Sequence, residues 1–217
     1  MKVKKLFGGL LLAATIMMAS SCAEILQQMS KTPTFYIPEL MYNGQTFLIT
    51  RVSACKYEFS TDSKYLTIKE NADGKFIATV SGTWTYETSE DYLQVKVTAI
   101  NPDDSSVDPV ESTTYIHDWT LKLFEGETEV KPTELKLGSV YTLKMCDSMT
   151  GIPVPTLLGA INYKNNVQKL EWKFKSDELE MLSSTATTME LKATKTALST
   201  ISASLGTYVA NITLYAK

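Results

Sequence analysis

The chain has 217 residues, with 21 lysines and arginines against 24 aspartates and glutamates and a formal net charge of −3. Arg51 is its single arginine, so the basic stripe of a nucleic-acid surface is missing and nucleic acid is set aside as a partner. His117 is the single histidine and Cys22, Cys55 and Cys146 are the only cysteines, which excludes a metal centre built on clustered histidine and cysteine. In chain order, Met1-Lys2-Val3-Lys4-Lys5 forms a basic tip. An apolar run over residues 6–18 follows, broken by Gly8, Gly9 and Thr15, and Ala19-Ser20-Ser21 then leads to Cys22. That is the layout of a secretory signal peptide over residues 1–21. As a helix the run is too short for a hydrocarbon core of about 30 Å, which takes about 20 apolar residues.

A cysteine placed directly after small residues resembles the lipobox of bacterial lipoproteins. Ser20, Ser21 and Cys22 fit that pattern, and Ala19 stands where the family more often has leucine. The resemblance implies that the Cys22 thiol carries diacylglycerol, that the chain is cut before it, and that acyl chains such as palmitate tie the protein to a membrane. Two or three chains anchor stably where one does not. Ala23 stands in place of the aspartate that marks inner-membrane retention in that family, so the outer membrane is the expected location. Only Glu24 is acidic just after the cysteine, which leaves the periplasmic and surface faces both open. Residues 22–34 read as the lipidated cysteine and a polar tether.

From residue 35 onward, apolar side chains recur with period two. Phe47 and Ile49, Tyr57 and Phe59, Leu66 and Ile68, then Phe76, Ala78 and Val80 form the first runs. Leu93, Val95 and Val97 follow, and Trp119, Leu121 and Leu123 close the series. Asn43-Gly44, Ala72-Asp73-Gly74 and Asn101-Pro102-Asp103-Asp104 punctuate them as turns. The second half repeats this order. Gly44–Thr50 matches Gly138–Lys144, Tyr57–Asp62 matches Trp172–Asp177, and Phe76-Ile77-Ala78 matches Met189–Ala193. Ile201, Ala203 and Leu205 alternate next, and Tyr208, Ala210, Ile212 and Leu214 share a face of the last strand. Residues 125–132 are polar and bounded by glycine and proline, as a linker would be. The expected class is all-β, with a first β-sandwich over 35–125 and a second over 126–217.

This order resembles bacterial immunoglobulin-like domains. In that family a glycine-led strand precedes an aromatic-x-aromatic strand running into Ser/Thr-Asp, then a strand ending in alanine and a Thr-Ile-x-Ala strand. Trp172, Ser176-Asp177, Lys192-Ala193 and Thr200-Ile201-Ser202-Ala203 carry the match in the second copy, while the first lacks the tryptophan and the last element. A rival resemblance, to small lipocalin-like lipoprotein barrels, rests on Phe59-Ser60-Thr61-Asp62, Gly82-Thr83-Trp84-Thr85-Tyr86 and Leu93-Gln94-Val95. That alternative implies a small apolar ligand in a barrel lumen.

Trp84 and Tyr86 share a strand face and Tyr92 follows, so the three are candidate ligand-binding residues able to stack on sugar rings if exposed; burial in a core is the competing use of such side chains. Trp172 reads as core. Asp147-Ser148-Met149 resembles the Asp-Ser/Thr-aliphatic sequon of a bacterial periplasmic O-glycosylation system, making Ser148 a candidate acceptor. Asp103, Asp104, Asp108 and Glu111 cluster in one loop, but without the Asp-x-Asp-x-Asn-Gly order of a calcium loop they read as a solvated acidic turn. Cys55 and Cys146 read as separate small apolar thiols. His117 reads as a strand histidine with a hydrogen-bond partner. No Gly-x-Ser-x-Gly elbow, cysteine–histidine signature or phosphate-cradling glycine loop occurs, so no catalytic residue, metal or cofactor is expected. The expected function is non-enzymatic: an interaction, adhesion or spacer module of the cell envelope, with a glycan-binding accessory role as an alternative. Its partner would be a protein or a glycan.

Overall fold

The computed structural model describes residues 31–82, 92–155, 157, 168–175 and 177–217. Cys22, Trp84 and Tyr86 therefore lie outside the described residues, as do the signal segment and most of the tether. The alternating runs at 47–49, 57–59, 66–68, 76–80, 93–97, 119–123, 201–205 and 208–214 all contribute to strands, and further strands form between them. The first eight are β1 (Phe35–Tyr36), β2 (Leu40–Tyr42), β3 (Thr46–Leu48), β4 (Thr50–Arg51), β5 (Glu58–Thr61), β6 (Leu66–Glu70), β7 (Phe76–Val80) and β8 (Tyr92–Ile100). Next come β9 (Val110–His117), β10 (Trp119–Glu125), β11 (Thr128–Val130), β12 (Val140–Asp147) and β13 (Glu171–Lys173). The last are β14 (Leu179–Ser184), β15 (Thr188–Ala193), β16 (Ala197–Leu205) and β17 (Tyr208–Ala216).

Strand order identifies the architecture. The second half forms a five-stranded sheet, β11-β10-β12-β15-β14, and a three-stranded sheet, β13-β16-β17. Leaving out β11, these are the A-B-E-D and C-F-G sheets of an immunoglobulin-like sandwich. Leu135 adds a parallel bridge to Ala216 on the outer edge of β17. The first half repeats the plan as β3-β7-β6 and β2-β9-β8-β5, with β2 running parallel to β9. Among the described residues each of these sheets is open and none closes on itself, so the lipocalin-like barrel alternative is corrected and its ligand lumen goes with it.

Two details depart from the sequence reading. β10 was expected to close the first series, yet it pairs antiparallel with β12 from Trp119↔Asp147 to Phe124↔Thr142. The polar stretch expected to be a linker is a hairpin turn, closed by Glu125↔Thr128, that folds β11 back onto β10. Polar turn residues serve both purposes, and only the pairing tells them apart.

The core of the second sandwich takes alternate residues from both sheets, including Leu121, Leu143, Met189, Leu191, Ile201 and Leu214. Trp119 is its largest fully buried side chain. Trp172 packs against this core, as expected, and its buried indole N–H has no hydrogen-bond partner among the described residues. In the first half, Phe47, Ala78, Val80, Val95, Val97 and Ile116 are buried at alternate positions, the pattern of sheets turned face to face.

The described residues divide into two compact units. The smaller comprises 31–36, Arg51–Ser60 and Thr98–Glu111; the larger comprises Ile37–Thr50, Thr61–Val97 and Ser112–Lys217. In the smaller unit the acidic loop is engaged by lysines. Asp104 meets Lys31 at 2.9 Å and Asp103 meets Lys56 at 3.0 Å, while the Asn101 side-chain amide donates to the Lys31 carbonyl at 2.9 Å. Hydrogen bonds from Ser106 first, and from Lys31 next, hold the Asp104 carboxyl down at about 2. Its oxygens are committed within the turn and to lysine, the solvated-turn arrangement. Cys55 and Cys146 are both free thiols. Burial raises Cys146 to about 11.

Candidate functional site

Within the larger unit, the strands of the first half meet the second sandwich at a joint built around one tight turn. β2 is followed by Asn43-Gly44, an Asn-Gly pair suited to left-handed backbone, and Gly44 has φ +87°. The Gly44 N–H donates to the Val80 carbonyl at 3.2 Å. The Asn43 N–H donates to the His117 carbonyl at 3.0 Å, and its side-chain amide donates to Gly82 and to the Asp118 carboxylate at 3.1 and 2.9 Å. The Asn43 carbonyl accepts the indole N–H of Trp119 at 2.9 Å, and the Tyr208 hydroxyl donates to the Trp119 carbonyl at 3.2 Å.

This turn interlocks with the β16–β17 hairpin. A Cβ placed on Gly44 would stand 1.7 Å from the Leu205 carbonyl oxygen, and one on Gly206 would stand 2.5 Å from the Gly44 carbonyl oxygen. Two backbones approach here at a distance only glycine allows. The turn is thus held by hydrogen bonds on one side and by steric fit on the other.

Beside the turn lies a polar clamp. His117, at the end of β9, has Nδ1 2.6 Å from Asp147 Oδ2 at the end of β12. Asp147 Oδ1 accepts from the backbone N–H groups of Met149 and Thr150, at 3.0 and 2.8 Å, and from the Thr150 hydroxyl at 3.2 Å. Burial alone would raise the Asp147 carboxyl, but the donors from Thr150 and His117 outweigh it and hold the group below its usual range. A carboxylate kept ionised can only accept, so His117 Nδ1 is the donor. Burial first, and the Asp147 carboxylate second, push the Tyr42 hydroxyl well above its usual range.

Aromatic rings surround the imidazole. Tyr42 lies edge-on at 6.4 Å between centroids, and Tyr92 is tilted at 5.9 Å. Tyr92 also meets Tyr115 edge-on at 5.5 Å. Tyr92 is half-buried among these neighbours. Next to the clamp, Leu40, Tyr42, His117, Asp147, Ile152 and Pro153 line a hollow of about 430 Å³. The His117–Asp147 contact clamps the end of β9 to the end of β12.

Ser148 is exposed in the turn that follows Asp147, and its N–H donates to the Asp118 carbonyl at 3.0 Å. The structure brings Tyr92 and His117 together, with Ser148 next in sequence to Asp147. Asn43-Gly44 was legible only as a turn, and nothing in its two residues signals the hairpin that covers it. Asp147 was read only as part of the sequon around Ser148.

No protein-family model matches this chain. No curated protein matches it. Solved structures align with it at low scores. The D00–D0 domain of intimin covers 85% of this chain and 99% of its own length, at 12% identity and a TM-score of 0.32. The C-terminal 282-residue fragment of intimin, solved in complex with the intimin-binding domain of the translocated intimin receptor, covers 85% of this chain at 18% identity and a TM-score of 0.30; the match spans 64% of that fragment. Domains 4–9 of the surface layer protein SbsC cover 85% of this chain at 13% identity and a TM-score of 0.29, over 31% of their own length. The immunoglobulin-like assignment rests on the strand order.

Proposed function

We propose that this chain is a lipid-anchored, non-enzymatic spacer and interaction module of the bacterial cell envelope. In this reading residues 1–21 are removed, Cys22 carries the acyl chains in the outer membrane, and residues 22–34 tether the folded part. The observation that carries the spacer role is the joint. Gly44 and Gly206 leave no room for a side chain between their backbones, and the Trp119–Asn43 hydrogen bond fastens the same place. A tightly fastened turn suits a scaffold that presents loops, since binding residues concentrate on loops of rigid scaffolds. Exposure of Ser148 in a short turn suits its proposed role as a glycan acceptor.

Metabolic labelling with palmitate, compared between the natural protein and Cys22→Ala, tests the anchor. Label is expected in the first and absent from the second; label retained by Cys22→Ala overturns it. Protease digestion of intact cells then assigns the face of the membrane. The glycan-binding alternative through Trp84, Tyr86 and Tyr92 is separated by a glycan array, on which Trp84→Ala loses binding only if that reading is right.

A further inference from the structure

The hollow beside the clamp is walled by fixed chain. Leu40 and Tyr42 reach it from β2, His117 and Asp147 from the ends of β9 and β12, and Ile152 and Pro153 from the segment that follows. That segment is tied back to β12. The Asp147 N–H donates to the Ile152 carbonyl at 3.0 Å, the Val154 N–H donates to the Met145 carbonyl at 2.9 Å, and Pro153 bridges to Cys146. At about 430 Å³ the hollow lies within the roughly 300–1,000 Å³ of small-molecule sites. Ile152, at its rim, is 64% exposed.

The polar side chains of the lining are engaged with the protein itself. Gln45 Oε1 accepts from the Tyr42 N–H at 2.8 Å. The Thr150 hydroxyl donates to Asp147 Oδ1 at 3.2 Å and accepts from the Ile152 N–H at 3.3 Å. The Tyr42 hydroxyl bonds to the same carboxylate. Asp147 Oδ2 holds the proton of His117 Nδ1, so in the neutral ring Nε2 is left as an acceptor. Among the described residues nothing donates to Nε2. The carboxylate behind the ring polarises the imidazole and strengthens that acceptor.

We propose that the hollow binds a small neutral phenol, whose O–H donates to His117 Nε2 while its ring lies among Leu40, Tyr42, Ile152 and Pro153. The lining decides the chemical class. A sugar would bring many hydroxyls to one acceptor, and the others would lose their water without a replacement. An ammonium would likewise bring three donors to one acceptor. A carboxylate or phosphate brings no donor and meets the like charge of Asp147. An aromatic ring suits the apolar walls, and a single O–H turns its positive hydrogen towards the negative side of the site. The proposal goes beyond the spacer role and depends on neither Cys22 nor Ser148.

His117 is the single histidine, so isotopic labelling of histidine nitrogen in the full chain, held in detergent, gives the magnetic resonance signals of this one imidazole. The probe is 2-naphthol; its methyl ether, which has the same rings and no donor, is the control. Probe taken up by the micelle alone moves no signal at Nε2. With 2-naphthol the Nε2 signal is expected to shift upfield and saturate, with a dissociation constant below about 1 mM. The ether is expected to bind at least about tenfold more weakly. Ile152→Trp closes the hollow from an exposed position and is expected to weaken naphthol binding by at least about tenfold. Thermal unfolding checks that this variant folds, and Pro155→Trp, also at an exposed position, replaces it if it does not. Absence of a saturable shift overturns the proposal. Equal binding of the two compounds overturns it as well, since the hollow then selects no donor. Undiminished binding by the closed variant also overturns it.

Discussion

The turn before β3 and the turn before β12 have nearly the same conformation in different surroundings. Gly44 and Gly138 have φ of +87° and +80°, and each donates its N–H across the sheet, to Val80 at 3.2 Å and to Ala193 at 3.0 Å. The repeat thus reproduces the turn down to its hydrogen bond. Yet a Cβ on Gly138 would meet nothing within 4 Å, whereas one on Gly44 would collide with the Leu205 backbone. Asn43 is buried, while Leu137 at the matching place is exposed. Local sequence sets the shape of each turn, and only the fold of the whole chain decides which one becomes a joint.

That contrast can be broken most strongly at Gly44. Gly44→Ala adds left-handed strain of about 1–2 kcal/mol and a backbone collision, so a loss of at least about 3 kcal/mol in denaturant unfolding is expected. Small-angle scattering should show a profile altered in the same variant. Trp119→Phe removes the donor to the Asn43 carbonyl and leaves that oxygen buried, which costs about 1–3 kcal/mol plus the lost indole contacts. Asp147→Asn cuts the clamp and is expected to cost about 1–3 kcal/mol at neutral pH.

Its pH dependence follows from the lowered carboxyl. The folded value lies below the unfolded value of about 3.9, so the stabilisation is complete above about pH 4 and is lost as pH falls through the folded value. Acid unfolding of the Asn variant should lack that component; an unchanged acid profile would count against the clamp. The smallest effect belongs to Gly138→Ala. It should show only the left-handed strain of about 1–2 kcal/mol, with the scattering profile of the natural chain. If it perturbs the profile as Gly44→Ala does, the contrast between the two turns fails.

Much of the fold was legible because alternation reports which face of a strand is buried. Phe47, Val95, Leu121 and Ile201 all face inward as read. The internal repeat was legible as well: β3 and β12, β5 and β13, and β7 and β15 take matching places in their sheets. Sheet membership was not, because β10 presents the same alternation whichever neighbour it pairs with. The site was less legible still. His117 and Asp147 are 30 residues apart, and neither spacing nor composition joins them. The aromatic reading reached Tyr92, whose neighbours in space are Tyr115 and His117.

The parallel pairing of β2 with β9 has a mechanical consequence. Leu40, Met41 and Tyr42 lie beside Tyr115, Ile116 and His117 with both strands pointing the same way. Tension that pulls β2 back towards its start and β9 onward past its end slides one strand along the other. The load then falls on all their hydrogen bonds together instead of opening them one by one. Leu135 against Ala216 repeats that geometry in the second sandwich. A chain held at one end and tugged at the other would resist in shear, the direction in which short strands are hardest to part.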